Sequence, residues 1–170
     1  MSVDVRDAAS VDLSRVAQIK VANWSDTYAP LVPREVLTPY LDQAVQAAHL
    51  REDLDRPSTL FLVAEDDAGL VIGFALTYVD ADPEPWLESL HVPRELRSRG
   101  AGSALVRATA KRLVAAGHGT LRLGVVAGNH AAMRFYEHLG AQHTGQEPAE
   151  WAPSVQHEIY RWADLSLIQR

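Results

Sequence analysis

The sequence predicts an α/β fold: one mixed sheet of about six or seven strands flanked by about four helices. Three observations carry this prediction. Apolar segments of period two and of helical period alternate along the chain without a linker, repeat or low-complexity run. The order is strand, two helices, three strands, helix, strand, helix, two strands, and the 170 residues suit a single domain over 1–170. In the middle, a buried strand runs through a basic, glycine-bearing turn straight into a helix.

Each element has its own signal. Val3 and Val5 alternate with polar residues over 1–7, as a short strand does. Ser10 is placed to cap a helix carrying Leu13, Val16, Ala17, Val21 and Trp24, which breaks at Tyr28-Ala29-Pro30. Thr38-Pro39 puts a capping side chain before a proline, opening a helix with Leu41, Ala44, Val45 and Ala48 on one face. Residues 60–65 and 70–79 read as strands joined by the turn Asp66-Asp67-Ala68-Gly69. A strand follows over 86–92. Gly100 opens a helix with Ala101, Ala104, Leu105 and Ala108 on one face, ended by Gly117 and Gly119. A buried strand over 121–127, a helix over 131–139 stopped by Gly140, and strands over 141–145 and 156–162 complete the order.

Composition excludes several functions. With no cysteine, the chain has no thiol nucleophile, disulfide framework or thiolate zinc site. A net charge of −6 argues against nucleic acid as a partner, while leaving room for a local basic pocket. The first seven residues do not resemble a signal peptide, and apolar runs such as Leu60–Ala64 fall far short of the ~20 residues that span a membrane. A cytoplasmic location is the expectation, and Asn23-Trp24-Ser25 reads as an accidental glycosylation acceptor. His157-Glu158 lacks the second histidine of a zinc-protease motif, no histidines show ligand spacing, and no metal is expected. No Gly-x-Ser-x-Gly elbow is present.

The chemistry concentrates in Leu90-His91-Val92-Pro93-Arg94-Glu95-Leu96-Arg97-Ser98-Arg99-Gly100-Ala101-Gly102-Ser103-Ala104-Leu105. The first turn of a helix has unpaired N–H groups and the positive end of the helix dipole. Gly100 and Gly102 let a phosphate approach those amides, Arg97 and Arg99 add charge, and Ser103 adds a hydroxyl. Together they form a pyrophosphate cradle. It is neither a dinucleotide fingerprint, whose third glycine is Leu105 here, nor a P-loop, since no lysine follows.

This segment resembles the acyl-coenzyme A signature of the GNAT N-acetyltransferase superfamily. So does Asn129-His130-Ala131-Ala132-Met133-Arg134-Phe135-Tyr136-Glu137-His138-Leu139-Gly140-Ala141, which is similar to that family's Asn-x-x-Ala-x-x-Phe-Tyr-x-x-x-Gly-Phe element with Ala141 in place of phenylalanine. The resemblance covers nearly the whole chain and implies the GNAT fold, with the strands at 86–92 and 120–127 splayed apart. It implies acetyl-CoA as co-substrate, its pyrophosphate on the backbone from Arg97 through Ser98, Arg99, Gly100, Ala101 and Gly102 to Ser103. Leu90, His91 and Val92 would pair with the pantetheine arm, and a backbone N–H near Val92 would hold the oxyanion. Asn129 would hydrogen-bond the arm, with Ala132 and Phe135 packing beside it.

Tyr136 is the general acid that the resemblance implies, and a phenol with a pKa of about 10 suits protonation of a departing thiolate. Some branches place a glutamate before a valine in the strand preceding Asn129. Gly124 stands there, so Glu88, on the strand over 86–92, becomes the candidate base, with His91 the weaker one. Trp24, Tyr28 and Trp151 are candidates for the acceptor pocket. The reading is an acetyl-CoA-dependent N-acetyltransferase that transfers directly to a primary amine in a ternary complex. Its alternatives are a non-catalytic CoA-binding sensor and a transferase using another acyl-CoA such as succinyl-CoA. Polyamines, aminoglycoside-like antibiotics, amino acids and protein N-termini all remain open as acceptors, and a homodimer is compatible with the resemblance.

Overall fold

The computed structural model describes residues 2–168, so Met1, at the head of the first expected strand, lies outside the described residues. Seven strands form one sheet in the order β1-β2-β3-β4-β5-β7-β6. They are β1 (Asp4–Asp7), β2 (Thr59–Glu65), β3 (Val71–Tyr78), β4 (Trp86–His91), β5 (Leu121–Val126), β6 (Gln142–Ala149) and β7 (Ala152–Trp162). All neighbours are antiparallel except β4 and β5, which are parallel. The α-helices among the described residues are α1 (Leu13–Asn23), α2 (Arg34–Leu37), α3 (Gln43–Asp55), α4 (Ala101–Ala115) and α5 (His130–His138). The mixed sheet is the expected one. The additional helix, α2, is a single turn between Pro33 and Thr38, too short for periodicity to register.

Helices cover both faces. Leu105 and Leu113 of α4 and Tyr136 of α5 pack with Leu62, Leu123 and Trp162. On the other face Val16 and Ile19 of α1 and Leu50 of α3 pack with Phe61, Phe74 and Leu76. Being covered twice, β2 and β3 are buried almost throughout, which is why they read as continuous apolar runs.

Two helix starts differ from the expectation. Ser10 makes no capping bond; it begins a short 3₁₀ turn, and the Asp12 carboxylate accepts from the Ala9 N–H instead. Asp12 wins because Arg6 reaches it with two guanidinium nitrogens, 2.8 and 2.9 Å away. Likewise Thr38-Pro39 lies in a 3₁₀ turn, and α3 is capped by Asp42, which accepts from the Val45 N–H. The later start rotates α3, so Gln46 and Leu50 are its buried residues and Val45 is exposed. The final hairpin is also longer than expected, closing in the two-residue turn Glu150-Trp151. Its Pro148 is tolerated because β6 is an edge strand.

Two irregularities in β4 create the site. Leu76 faces Ser89 while Thr77 faces Leu87, so Glu88 is an extra, bulged residue. The bulge places Leu87 and Leu90 in the same core cluster despite their odd spacing. In addition, β4 pairs with β5 only at Trp86–Arg122 and Leu87–Leu123. Beyond Leu87 the strands diverge, which is the splay expected of this fold.

Candidate active site

The divergence of β4 and β5 opens into a cleft of about 530 Å³. Its lining brings together most of the residues singled out from the sequence: Glu88, Leu90, His91 and Val92 from β4 and its exit, and Arg97, Ser98, Gly100, Ala101, Gly102 and Ser103 from the loop and the start of α4. Asn129, Ala132, Phe135 and Tyr136 line the opposite side, and Tyr28 lines the end toward α1. Arg99, Trp24 and Trp151 are not among the lining residues.

The side of the cleft formed by the loop and the start of α4 is built from backbone. Ser98 and Gly100 both have positive φ, 69° and 88°, which folds the loop so that α4 begins facing the cleft. No side chain caps α4, leaving its first-turn N–H groups for an anion. A Cβ on Gly102 would lie 3.2 Å from the Phe135 ring, so only glycine fits there comfortably. Arg97 turns its Nε to the Val92 carbonyl, 3.1 Å away.

That carbonyl also accepts from Asn23 Nδ2 at 3.0 Å. It is therefore committed to the protein, and the strand-like edge expected over Leu90–Val92 loses one acceptor. Asn23 Nδ2 lies 3.3 Å from His91 Nδ1 as well. Burial, with Lys20 and Arg97 nearby, pulls the His91 pKa down to about 3. The ring is neutral, and assigning the contact as a hydrogen bond from Asn23 puts its proton on Nε2. Asn23 was not picked out from the sequence; its signal was an amide that α1 places on its buried face.

Asn129 caps α5, its Oδ1 accepting from the Ala132 N–H, so only its amide nitrogen is left for a ligand. Tyr136 is buried against Phe135 and Trp162, and its hydroxyl has no hydrogen bond among the described residues. Burial pushes its pKa well above the ordinary phenol range, with Tyr28 adding to the effect. Across the cleft, Glu88 accepts a 2.8 Å bond from the Trp86 indole. Its carboxylate is open to the cleft, yet the surrounding protein raises its pKa by desolvation, partly offset by Trp86 and Lys20.

The end of the cleft toward α1 is aromatic. After α1 the chain makes one wider helical turn, Trp24–Tyr28, of the kind that recurs at functional sites. Trp24 is only 8% exposed and lies 4.8 Å from the Trp151 ring and 5.1 Å from those of Tyr28 and Tyr40. Trp24 and Trp151 thus form a layer behind Tyr28. Gly124 lines the cleft, and the His157 ring packs against it: a Cβ there would lie 2.4 Å from His157 Nδ1. Among the described residues no group of three His, Asp or Glu could hold a metal ion, and no helix is long and apolar enough to cross a membrane.

A parallel strand pair held apart next to an uncapped helix start, with a carboxyl and a phenol across the gap, is the equipment of an acyltransferase. Residues 19–141 match the acetyltransferase (GNAT) family, and the chain belongs to it. It is 29% identical to an L-methionine sulfoximine/L-methionine sulfone acetyltransferase of Pseudomonas paraeruginosa, over 99% of this chain and 94% of that one. The counterpart from Pseudomonas aeruginosa is 28% identical over the same shares. The fold matches PaiA N-acetyltransferase of Thermoplasma acidophilum, solved with coenzyme A, at a TM-score of 0.79 with 22% identity, covering 95% of this chain and 98% of that one. YncA of Salmonella typhimurium, solved with its cofactor acetyl-CoA, matches at 0.70 with 20% identity, covering 97% and 95%.

Proposed function

We propose that this acyltransferase moves the acetyl group of acetyl-CoA to the primary amine of a small, amino-acid-like acceptor by direct attack in a ternary complex. The observation that carries the reading is the cleft itself, where Glu88 and Tyr136 line one space next to the uncapped start of α4. Acetyl-CoA fits the residues present: Gly100 and Gly102 clear the approach to the α4 amides, and the splay past Leu87 admits an extended arm. The two Pseudomonas relatives, named for amino-acid derivatives, favour an acceptor of that size and chemistry.

When bound, acetyl-CoA supplies an activated thioester carbonyl and a thiolate leaving group. The chain does the rest. The first-turn amides of α4, with Arg97 and Ser103, hold the pyrophosphate. The edge at Leu90 and His91, with Asn129 and Phe135, orients the arm. A backbone N–H near Val92 stabilises negative charge on the carbonyl oxygen. Glu88 takes the proton from the acceptor's ammonium, directly or through a water, because only the free amine is nucleophilic. Tyr136, protonated throughout the physiological range, donates to the departing sulfur. With no cysteine to carry an acyl group, direct attack is favoured over a covalent relay. The reading as a non-catalytic CoA sensor leaned on the glycine at 124, and a carboxyl at Glu88 in the same cleft weighs against it.

A thiol-release assay with acetyl-CoA across amine classes tests the proposal, with succinyl-CoA run in parallel as donor. Acetyl-CoA is expected to support turnover, and Tyr136→Phe to lower kcat by roughly 10²-fold while calorimetric CoA binding is unchanged. Tight CoA binding without thiol release from any amine would overturn it.

A further inference from the structure

One side-chain amide joins α1 to the exit of β4 and meets two acceptors there. Asn23 is only 4% exposed, and its Nδ2 lies 3.0 Å from the Val92 carbonyl oxygen and 3.3 Å from His91 Nδ1. A carbonyl oxygen only accepts, so the Asn23 atom facing Val92 is the nitrogen, and the orientation of the amide is fixed. That nitrogen carries two N–H groups for its two neighbours, so His91 Nδ1 accepts and the imidazole proton sits on Nε2. From β3 the fully buried Phe74 ring packs on the imidazole, with the ring centres 5.4 Å apart, and holds it in place.

This arrangement excludes His91 as a base. Asn23 takes up its free lone pair, and burial keeps the ring neutral with a pKa of about 3. What the ring can offer is a donor. Among the described residues Nε2 has no hydrogen-bond partner and no ion pair, and it is not one of the unpartnered atoms sealed from solvent. His91 lines the cleft, whereas the small hollow on the far side of Asn23, lined by Arg15, Asp26 and Glu95, does not include it. The Val92 carbonyl already accepts from Asn23 and from Arg97 Nε at 3.1 Å, which occupies both of its lone pairs. At Val92 a ligand thus finds no free acceptor, and beside it one fixed donor.

Resting on the acetyl-CoA reading, we infer that Asn23 is a positioning residue that holds His91 as its Nε2–H tautomer, and that this N–H donates a hydrogen bond to a carbonyl oxygen of the bound acyl-CoA. Acyl-CoA carries such oxygens in its thioester and in the amides of its arm, and an uncharged donor suits either. A bond to the thioester oxygen strengthens as negative charge develops there and acts on kcat; a bond to an amide oxygen acts on binding.

Nitrogen NMR of the isotope-labelled protein reads the tautomer, with His91→Gln identifying the His91 signals among those of the seven histidines. The His91 proton is expected on Nε2 in the free protein, and CoA or acetyl-CoA is expected to shift the Nε2 signal. Asn23→Asp, whose carboxylate only accepts, is expected to draw a proton onto Nδ1, which lost packing alone would not do. In thiol release and calorimetric CoA titration, His91→Phe is expected to lower one constant by about tenfold, the worth of one hydrogen bond. That constant is kcat if the oxygen is the thioester's and CoA affinity if it is an amide's. His91→Gln, which keeps an amide N–H near the place of Nε2, is expected to restore most of the loss, and Asn23→Asp to lower the same constant. A wild-type proton on Nδ1, or an Asn23→Asp protein that keeps it on Nε2 alone, overturns the positioning role. An Nε2 signal unmoved by both CoA and acetyl-CoA, or equal losses in His91→Phe and His91→Gln, overturns the donor. Tautomer and CoA binding are read without turnover, so absence of thiol release from every amine overturns the transferase reading alone, while absence of CoA binding overturns both.

Discussion

Gly124 and His157 offer the sharpest structural test of the site. A methyl group at 124 would sit 2.4 Å from His157 Nδ1, 2.8 Å from Cγ and 3.1 Å from Cβ. Turning the ring can relieve the contact with Nδ1, but Cβ moves only with the strand. Overpacking of this kind costs about 1–3 kcal/mol. For a chain of this length each kcal/mol shifts Tm by roughly 2–4 °C, so Gly124→Ala is expected to lower Tm by about 2–12 °C. His157→Ala in the same chain removes the obstructing ring, and the double variant should regain about 1–2 kcal/mol relative to additivity, within the range of coupling between touching residues. Calorimetric melting of the four proteins measures the cycle. A Gly124→Ala protein that melts with the wild type, or a double variant that is merely additive, refutes the claim that the imidazole occupies this place.

The pH profile isolates Glu88. Its folded pKa is raised, so the basic form appears at higher pH than for a free glutamate, and kcat/KM should climb with pH through a limb above about 4.3. Glu88→Gln should remove that limb and lower kcat/KM by about 10²–10⁴-fold; a profile over pH 5–9 that keeps the limb would reject Glu88 as the base. His91, held near 3, lies below that window and does not contribute the limb. Acid stability isolates Asp12, whose pKa is lowered chiefly by its hydrogen bond to Arg6. Its contribution is fully present above the ordinary aspartate value of about 3.9 and is lost as pH falls through the depressed folded value. Asp12→Asn should cost about 1–2 kcal/mol at pH 7, modest because Arg6 is partly open to water, with the gap closing in acid; urea titrations at both pH values check this.

The lining of the cleft was legible wherever it comes from one continuous stretch of chain. The segment from Arg97 to Ser103 leads from β4 into α4, and the residues of it that line the cleft are neighbours in sequence. Phe135 and Tyr136 follow Asn129 on one short helix for the same reason. Illegible were the effects that arise across the sheet. Alternation along β4 would put Glu88 and Leu90 on one face; the bulge, visible only once Leu76 and Thr77 are paired, separates them. The contacts of Asn23 with Val92 and of His157 with Gly124 span 69 and 33 positions in the chain, and no local period records them. The helix starts at Ser10 and Thr38 were misplaced because nearby aspartates are better acceptors, one of them drawn in by Arg6 on a strand.

Where the carboxyl stands follows from packing. On β5 the direction of a side chain at position 124 is filled by the His157 side chain, so an acidic residue there would have to displace it. On β4 the extra residue of the bulge turns Glu88 toward α1 while its neighbours Leu87 and Leu90 stay in the core beneath α4. The same turn brings Glu88 within electrostatic reach of Lys20 and Tyr28 and into a hydrogen bond with Trp86. One inserted residue therefore supplies a carboxyl with a raised pKa to the cleft lining, where the proposed mechanism needs a base. The splay just beyond Leu87 opens the cleft that this carboxyl lines. Removing the bulge by deleting one residue would restore regular alternation and reverse the side-chain directions along one arm of β4. The position of the Glu88 carboxyl and the continuity of the core thus depend on the same irregularity.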